Sequence, residues 1–189
     1  MINILFTCAG RRNYLINYFK SALKNRGKVY AMDKNRLAPA MVDADVSIVS
    51  PSIYDKDYIP FLIDAVKKHD INAVVSLNEL ELPILAKHKS ELERNSTKVL
   101  LSNETIIDTT FDKLKCFEFF IEHDILTPKT YSDITYVRDA LKNGKLQFPL
   151  VLKPRWGSAS IGIGFPETME ELELSFELQK IKLSRSILK

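Results

Sequence analysis

The sequence predicts an α/β protein: a parallel sheet with helices on its faces, followed by a smaller α+β unit. Three observations carry this. Short β-branched apolar runs alternate with longer helical patterns through the first hundred residues, the signature of a parallel sheet with right-handed crossovers. After Ser102 the pattern changes to a helix-rich stretch. Finally, 189 residues at 46% hydrophobic and 27% charged suit a globular chain of two unequal units, and fit neither a disordered nor a fibrous protein. The units are expected over residues 1–105 and 106–189.

In order, the strands are expected at 2–7, 29–32, 46–49, 73–76 and 98–101. The helix after the third strand is the clearest, because Tyr58, Ile59, Phe61, Leu62, Ile63, Ala65 and Val66 repeat at helical spacing. Lys67 and Lys68 close it where cations suit the dipole. A helix over 79–94 carries Pro83 near its start, where a missing N–H is tolerated. Beyond Ser102, Phe111, Leu114, Phe117 and Phe119–Ile121 form one broad apolar face. A helix over 133–143 stops at Gly144, a strand covers 149–153, and a helix covers 167–180.

Composition narrows the function. The net charge of +3 comes from Lys180, Lys182, Arg185 and Lys189 near the C-terminus, and the remaining body is close to neutral. The basic face that non-specific nucleic-acid binding requires is absent, so small molecules are the better class of partner. No segment approaches the ~20 apolar residues of a membrane span, and the apolar N-terminal stretch is too short for a signal peptide, with Arg11 and Arg12 after it rather than before. Cys8 and Cys116 lack metal-ligand spacing and read as buried thiols in a reducing cytoplasm.

Glycine is scarce, yet Gly157, Gly162 and Gly164 cluster in Lys153-Pro-Arg-Trp-Gly-Ser-Ala-Ser-Ile-Gly-Ile-Gly164. Small residues let backbone N–H groups approach an anion, and Ser158 and Ser160 add hydroxyls. A plain hairpin turn explains the glycines equally well. The segment is not a Walker A loop, since Ile163-Gly164 replaces the required Lys-Ser/Thr. Lys153 ends the preceding apolar strand; alone it reads best as a strand-end lysine reaching to water, and paired with the loop it would bring an ammonium to the loop's mouth. Lys113 follows Asp112, which reads as an N-cap, and so puts a cation at the positive end of a helix, a placement costing about 0.3–1 kcal/mol that a bound anion can offset and that Asp112 and solvent can offset equally.

In the first unit, Gly10-Arg11-Arg12 follows the first strand, where a doubly wound sheet receives ligands, and Asp33 closes the second strand. A single glycine there is too few for a dinucleotide fingerprint. Arg11 and Arg12 could hold a carboxylate or phosphate, or simply be a solvated helix start. Glu79 and Glu81 either cap the next helix, the better reading, or face the same crevice. His69, His88 and His123 lack partners at catalytic spacing.

Taken as an ordered set, Asp112-Lys113, Thr127-Pro-Lys-Thr130, Phe148-Pro-Leu-Val-Leu-Lys153-Pro-Arg and Gly157-Ser-Ala-Ser-Ile-Gly162 resemble the ATP-grasp superfamily, particularly its carbamoyl-phosphate-synthase-like members. The resemblance covers essentially the whole chain. It implies a Rossmann-like pre-ATP-grasp domain followed by the N-terminal subdomain of an ATP-grasp domain. It further implies that Lys113, Lys153, Arg155, Gly157, Ser158, Ala159, Ser160 and Gly162 contact ATP, with the loop closing over the phosphates. Gly10, Arg11, Arg12 and Glu79 become acceptor-binding candidates. The implied chemistry is phosphorylation of a small-molecule carboxylate to an acyl phosphate, which an amine then attacks. The Mg²⁺ ligands and the adenine hinge are expected in a C-terminal portion that would follow: either the sequence is part of a longer enzyme, or a partner chain supplies the remainder, or catalysis has been lost. This chain alone is expected to be inactive, and a homodimer or a partner chain completing the site is the expected assembly. The acids from Glu167 to Glu177 fit the polar side of one amphipathic helix and not a metal site. The alternative function is a non-catalytic module that binds a small anionic ligand.

Overall fold

A computed structural model describes residues 1–157 and 160–185. The chain divides into two compact units, Met1–Ile107 and Asp108–Lys189.

The first unit is built on five parallel strands: β1 (Ile2–Thr7), β2 (Gly27–Asp33), β3 (Val46–Val49), β4 (Ala73–Ser76) and β5 (Lys98–Val99), in the spatial order β3-β2-β1-β4-β5. Helices α1 (Asn13–Leu23), α2 (Pro39–Asp43), α3 (Tyr58–Lys68) and α4 (Leu82–Leu92) connect them. One face of the sheet packs Leu5, Tyr30, Met32 and Val74 against Leu62, Val66 and Leu85. The other packs Phe6, Val29 and Ala31 against Ile16, Leu23, Ala40 and Met41. Burial on both faces is what near-continuous apolar strands require. The order reverses between β1 and β4, so the carboxyl ends of these two strands form the switch-point crevice.

Gly27 lies so close to β1 that an added Cβ would fall 1.7 Å from the Ile2 carbonyl oxygen, so a side chain cannot be accommodated without moving the strand. β5 is shorter than expected because Leu100 and Leu101 leave the ladder; the Leu100 N–H still donates to the Val74 carbonyl. The expected helix over 79–94 is three pieces: a 3-10 turn at Glu79–Glu81, α4, and a second 3-10 turn at Glu93–Asn95.

The second unit follows α5 (Glu104–Phe111) and contains α6 (Lys113–Glu122), α7 (Ile134–Lys142) and α8 (Met169–Ser184). Asp112, Asp133 and Thr168 cap these three helices through side-chain oxygens that accept backbone N–H groups. Gly144, at φ +67°, follows the C-cap of α7 and accommodates the left-handed turn there. The strand expected over 149–153 reduces to one antiparallel bridge, Leu152 with Gly164, extended by the Leu150 N–H donating to the Pro166 carbonyl. The broad apolar face expected on α6 contains no fully buried residue. In α8, Leu172 is buried while Leu174, Leu178 and Ile181 form an exposed stripe, so this helix is apolar on more than one side.

Candidate functional site

At the crevice of the first unit, β1 leads into two residues in the left-handed region, Cys8 at φ +49° and Gly10 at φ +52°. Asp33 at the end of β2 fixes this turn. Its Oδ2 accepts the Gly10 N–H at 2.8 Å and its Oδ1 accepts the Asn35 N–H at 2.8 Å, so both oxygens are engaged by backbone. Arg11 and Arg12 follow at the start of α1, exposed, and among the described residues neither guanidinium has a hydrogen-bond or ion-pair partner. Glu79 is exposed on the β4 side of the crevice.

Capping after β4 falls to Asn78, whose Oδ1 accepts the Leu80 N–H at 3.0 Å, and not to Glu79 or Glu81 as the sequence suggested. Glu81 is instead fully buried and accepts hydrogen bonds from Thr7, Ser76 and Tyr58. Sequence reasoning missed this cluster, because its members are 74 residues apart at the extreme and only the pairing of β1 with β4 brings them together. Cys8 and Cys116 are both free and half-buried rather than buried.

In the second unit, Asp112 is 3% exposed and holds two things at once. It caps α6 through the Leu114 and Lys115 N–H groups, and it takes Arg155 Nε at 2.7 and 2.8 Å and Nη2 at 2.7 Å. Burial pushes its carboxyl upward, but Arg155 and the two N–H groups outweigh that and hold it below the usual carboxylate range. The Arg155 guanidinium also lies over the Trp156 ring, 5.1 Å from its centroid.

The Lys113 ammonium donates to the Gly157 carbonyl at 2.9 Å and reaches the Arg155 carbonyl at 3.5 Å, while its N–H also donates to Arg155. Lys113 is therefore at the loop that begins with Lys153, despite a sequence separation of 44 residues to Gly157. Lys153 is exposed, and among the described residues its ammonium has no partner.

The loop itself joins the two sides of the antiparallel pair. Ser160 and Gly162 turn it with φ values of +58° and +75°. Gly162 also approaches Pro154 closely, since an added Cβ would sit 2.9 Å from the proline Cγ. Ser158 and Ala159 lie outside the described residues. The Leu152–Gly164 register places Val151 opposite Phe165 and Lys153 opposite Ile163 on one face, and all four are exposed. That apolar patch beside Lys153 was not singled out in the sequence, because Leu150-Val-Leu152 is a continuous apolar run and carries no alternation that marks an exposed face.

No helix among the described residues is long and apolar enough to cross a membrane. Among the same residues no group of three or more His, Cys, Asp or Glu could hold a metal ion. The acids of α8 have other partners: Glu173 pairs with Arg138 at 2.6 Å, Glu177 with Lys180 at 3.1 Å, and Glu171 accepts the Glu167 N–H.

Comparison with known proteins agrees with this fold. The chain is 27% identical over 156 residues to a carbamoyl-phosphate synthase of Methanobrevibacter smithii, an alignment covering 78% of this chain and 42% of the relative. It superposes on N5-carboxyaminoimidazole ribonucleotide synthetase of Thermotoga maritima with a TM-score of 0.63 at 21% identity, covering 92% of this chain and 43% of that one. It also superposes on the biotin carboxylase domain of Hydrogenobacter thermophilus 2-oxoglutarate carboxylase, crystallised as a dimer with MgADP, ADP and bicarbonate. There the TM-score is 0.72 at 15% identity, covering 97% of this chain and 41% of that one. The chain thus spans less than half the length of these relatives. Residues 4–100 match the PylC-like, N-terminal domain model, and the chain belongs to that family, the pre-ATP-grasp module of carbamoyl-phosphate-synthase-like ATP-grasp proteins.

Proposed function

We propose that this chain is the N-terminal portion of an ATP-dependent carboxylate ligase, which holds ATP in its second unit and forms an acyl phosphate when the rest of the catalytic apparatus is present. The observation that carries this reading is the exposed face bearing Val151, Phe165, Ile163 and Lys153. A nucleobase can lie on the apolar pair while the Lys153 ammonium, on the same face, meets phosphate. Lys113 supplies a second ammonium at the same loop. Binding an anion there would exchange one of its present loop partners for phosphate.

Two ammonium groups and loop N–H groups would spread the charge that develops as the γ-phosphoryl group passes to a carboxylate oxygen. Attack of an amine on the acyl carbon then forms the new C–N bond and expels inorganic phosphate, the amine giving up a proton, which completes the ligation. Arg155, bound by Asp112, sets the start of the loop, and Gly157, Ser160 and Gly162 shape it; Ser158 and Ala159, which lie outside the described residues, are carried as ATP contacts on the sequence resemblance alone. In the first unit, Arg11 and Arg12 would hold the anionic part of the acceptor, with the Gly10 turn and Glu79 at the crevice. Mg²⁺ is expected with ATP, and its ligands are expected in the portion that follows this chain. A cytoplasmic location fits such chemistry.

The test is ATP binding by calorimetry in a protein that includes the remaining portion. Lys153→Ala and Lys113→Ala should each weaken binding at least tenfold, a loss of about 1.4 kcal/mol or more. Unchanged affinity in both variants would remove the phosphate roles.

A further inference from the structure

Between α3, α4 and the loop after β3 lies a cleft of about 760 Å³, wholly within the first unit. Small-molecule sites are commonly of this size, roughly 300–1,000 Å³. Helical spacing builds its walls: Ile59 and Ile63 stand one turn apart on α3, Ile84 and His88 one turn apart on α4, and Ile53 enters from the loop. The four isoleucines are each only half-buried. Ile53, Ile59 and Ile63 pack one side against the main core cluster and leave the other to the cleft. Tyr58 backs it at 1% exposure, its hydroxyl already given to Glu81. A single half-exposed isoleucine needs no explanation, but four lining one cleft are apolar surface that a ligand would cover.

The polar part of the lining is acidic. Asp55, Asp64 and Glu91 contribute carboxylates against one lysine, Lys56. Among the described residues Asp64 makes no ion pair or side-chain hydrogen bond. Asp55 Oδ1 accepts the Asp57 N–H at 3.1 Å, and Glu91 faces His88 Nδ1 at 3.3 Å. An anion would meet these carboxylates, and a purely polar cation would leave the isoleucines in water. A molecule with an apolar body and a cationic end matches both parts of the lining.

We propose that the α3–α4 cleft is a binding site for a small organic cation, an amine on a short apolar body, with the body lying on Ile59, Ile63 and Ile84 and the ammonium at Asp64 and Glu91. None of the residues assigned above to ATP or to the acceptor lines this cleft, so the site is additional to both.

The test is an NMR titration of the intact chain carrying isotope-labelled isoleucine methyl groups, with n-octylammonium, n-octanesulfonate and n-octanol as probes. Octylammonium should shift the Ile63 and Ile84 methyls saturably and bind at least about fivefold more tightly than octanesulfonate, and hexylammonium should bind about fourfold more weakly than octylammonium. Asp64→Asn combined with Glu91→Gln, both exposed positions, should bring ammonium and sulfonate within about twofold of each other and leave octanol binding in place. Shifts at Ile63 and Ile84 with no preference for the cation would mark ordinary uncovered surface and overturn the proposal. So would shifts spread over isoleucines outside the cleft, or none at these two. If the same methyls shift on raising the chain concentration alone, a second copy occupies the cleft and the proposal is equally overturned. Should the double variant fail to fold, the contrast between octylammonium and octanesulfonate in the wild-type chain decides. Failure of ATP binding would leave these shifts untouched, so the two readings fail separately.

Discussion

The two units have similar apolar sequences but bury them to different degrees. In Met1–Ile107 both faces of the sheet are covered, and Leu5, Phe6, Ile16, Val29, Met32 and Leu62 are almost wholly inaccessible. In the described part of Asp108–Lys189 the buried apolar residues come down to Ala140, Pro154, Pro166 and Leu172, while Leu126, Ile161, Phe165 and Leu174 are each about two-thirds exposed or more. The difference is one of layers. Five strands with helices on both faces make a closed set of packed layers, whereas three helices and a two-stranded pairing leave apolar sides without a partner. Hydrophobic periodicity therefore predicts that an element forms, and says less about whether the chain itself covers it.

The sharpest way to break this contrast is a pair of core truncations. Leu62→Ala, at 0% exposure in the main cluster, should cost about 3 kcal/mol in urea unfolding. Leu172→Ala should cost less, because the cavity it leaves has fewer buried neighbours to hold it open. Equal losses would show that the second unit is as well packed as the first. Hydrogen exchange gives the same comparison without mutation: the amides of β1 and β4 should outlast those of α6 and α8 by several orders of magnitude.

Next in size is Asp112. Asp112→Ala removes the cap of α6 and the partner of the partly exposed Arg155, a loss of about 1–2 kcal/mol. The pH dependence has a fixed sign. The folded carboxyl is held below its ordinary value of about 3.9, so its stabilisation is complete above that value and is lost as pH falls through the folded value. Acid unfolding followed by a probe in the second unit should shift to higher pH in the wild type than in an otherwise identical chain only if this sign is wrong; the expected result is that Asp112→Ala flattens the acid limb.

Much of the first unit was legible because its signals are local. The five strands, the Lys67–Lys68 helix end and the tolerated Pro83 all follow from residues close in sequence. Asp112 as an N-cap was legible for the same reason. The Glu81 cluster was not, since a glutamate after a strand looks like a cap and only the β1–β4 pairing brings Thr7 to it. The strand over 149–153 was overestimated because a β-branched apolar run states a preference, while a ladder needs a partner, and only Gly164 and Pro166 supply one here. On α8 the acids were expected on the polar side of one amphipathic helix, yet Leu172 is buried while Leu174, Leu178 and Ile181 are exposed, so the helix carries apolar residues on more than one side.

The smallest effects on stability separate a ligand face from a merely uncovered one. Leu126 is fully exposed and Phe165 is 69% exposed, so Leu126→Ser and Phe165→Ser should each change folding stability by no more than about 0.5 kcal/mol. They should differ in binding. Phe165 lies on the same face as Val151 and Lys153, where a base would rest, and its loss should weaken ATP binding about tenfold in a protein that includes the remaining portion. Leu126→Ser should leave that affinity unchanged while lowering self-association in light scattering, because it removes exposed apolar surface away from the loop. If both variants affect ATP alike, the apolar face beside Lys153 has no special relation to the nucleotide and is one more part of the unit's uncovered surface.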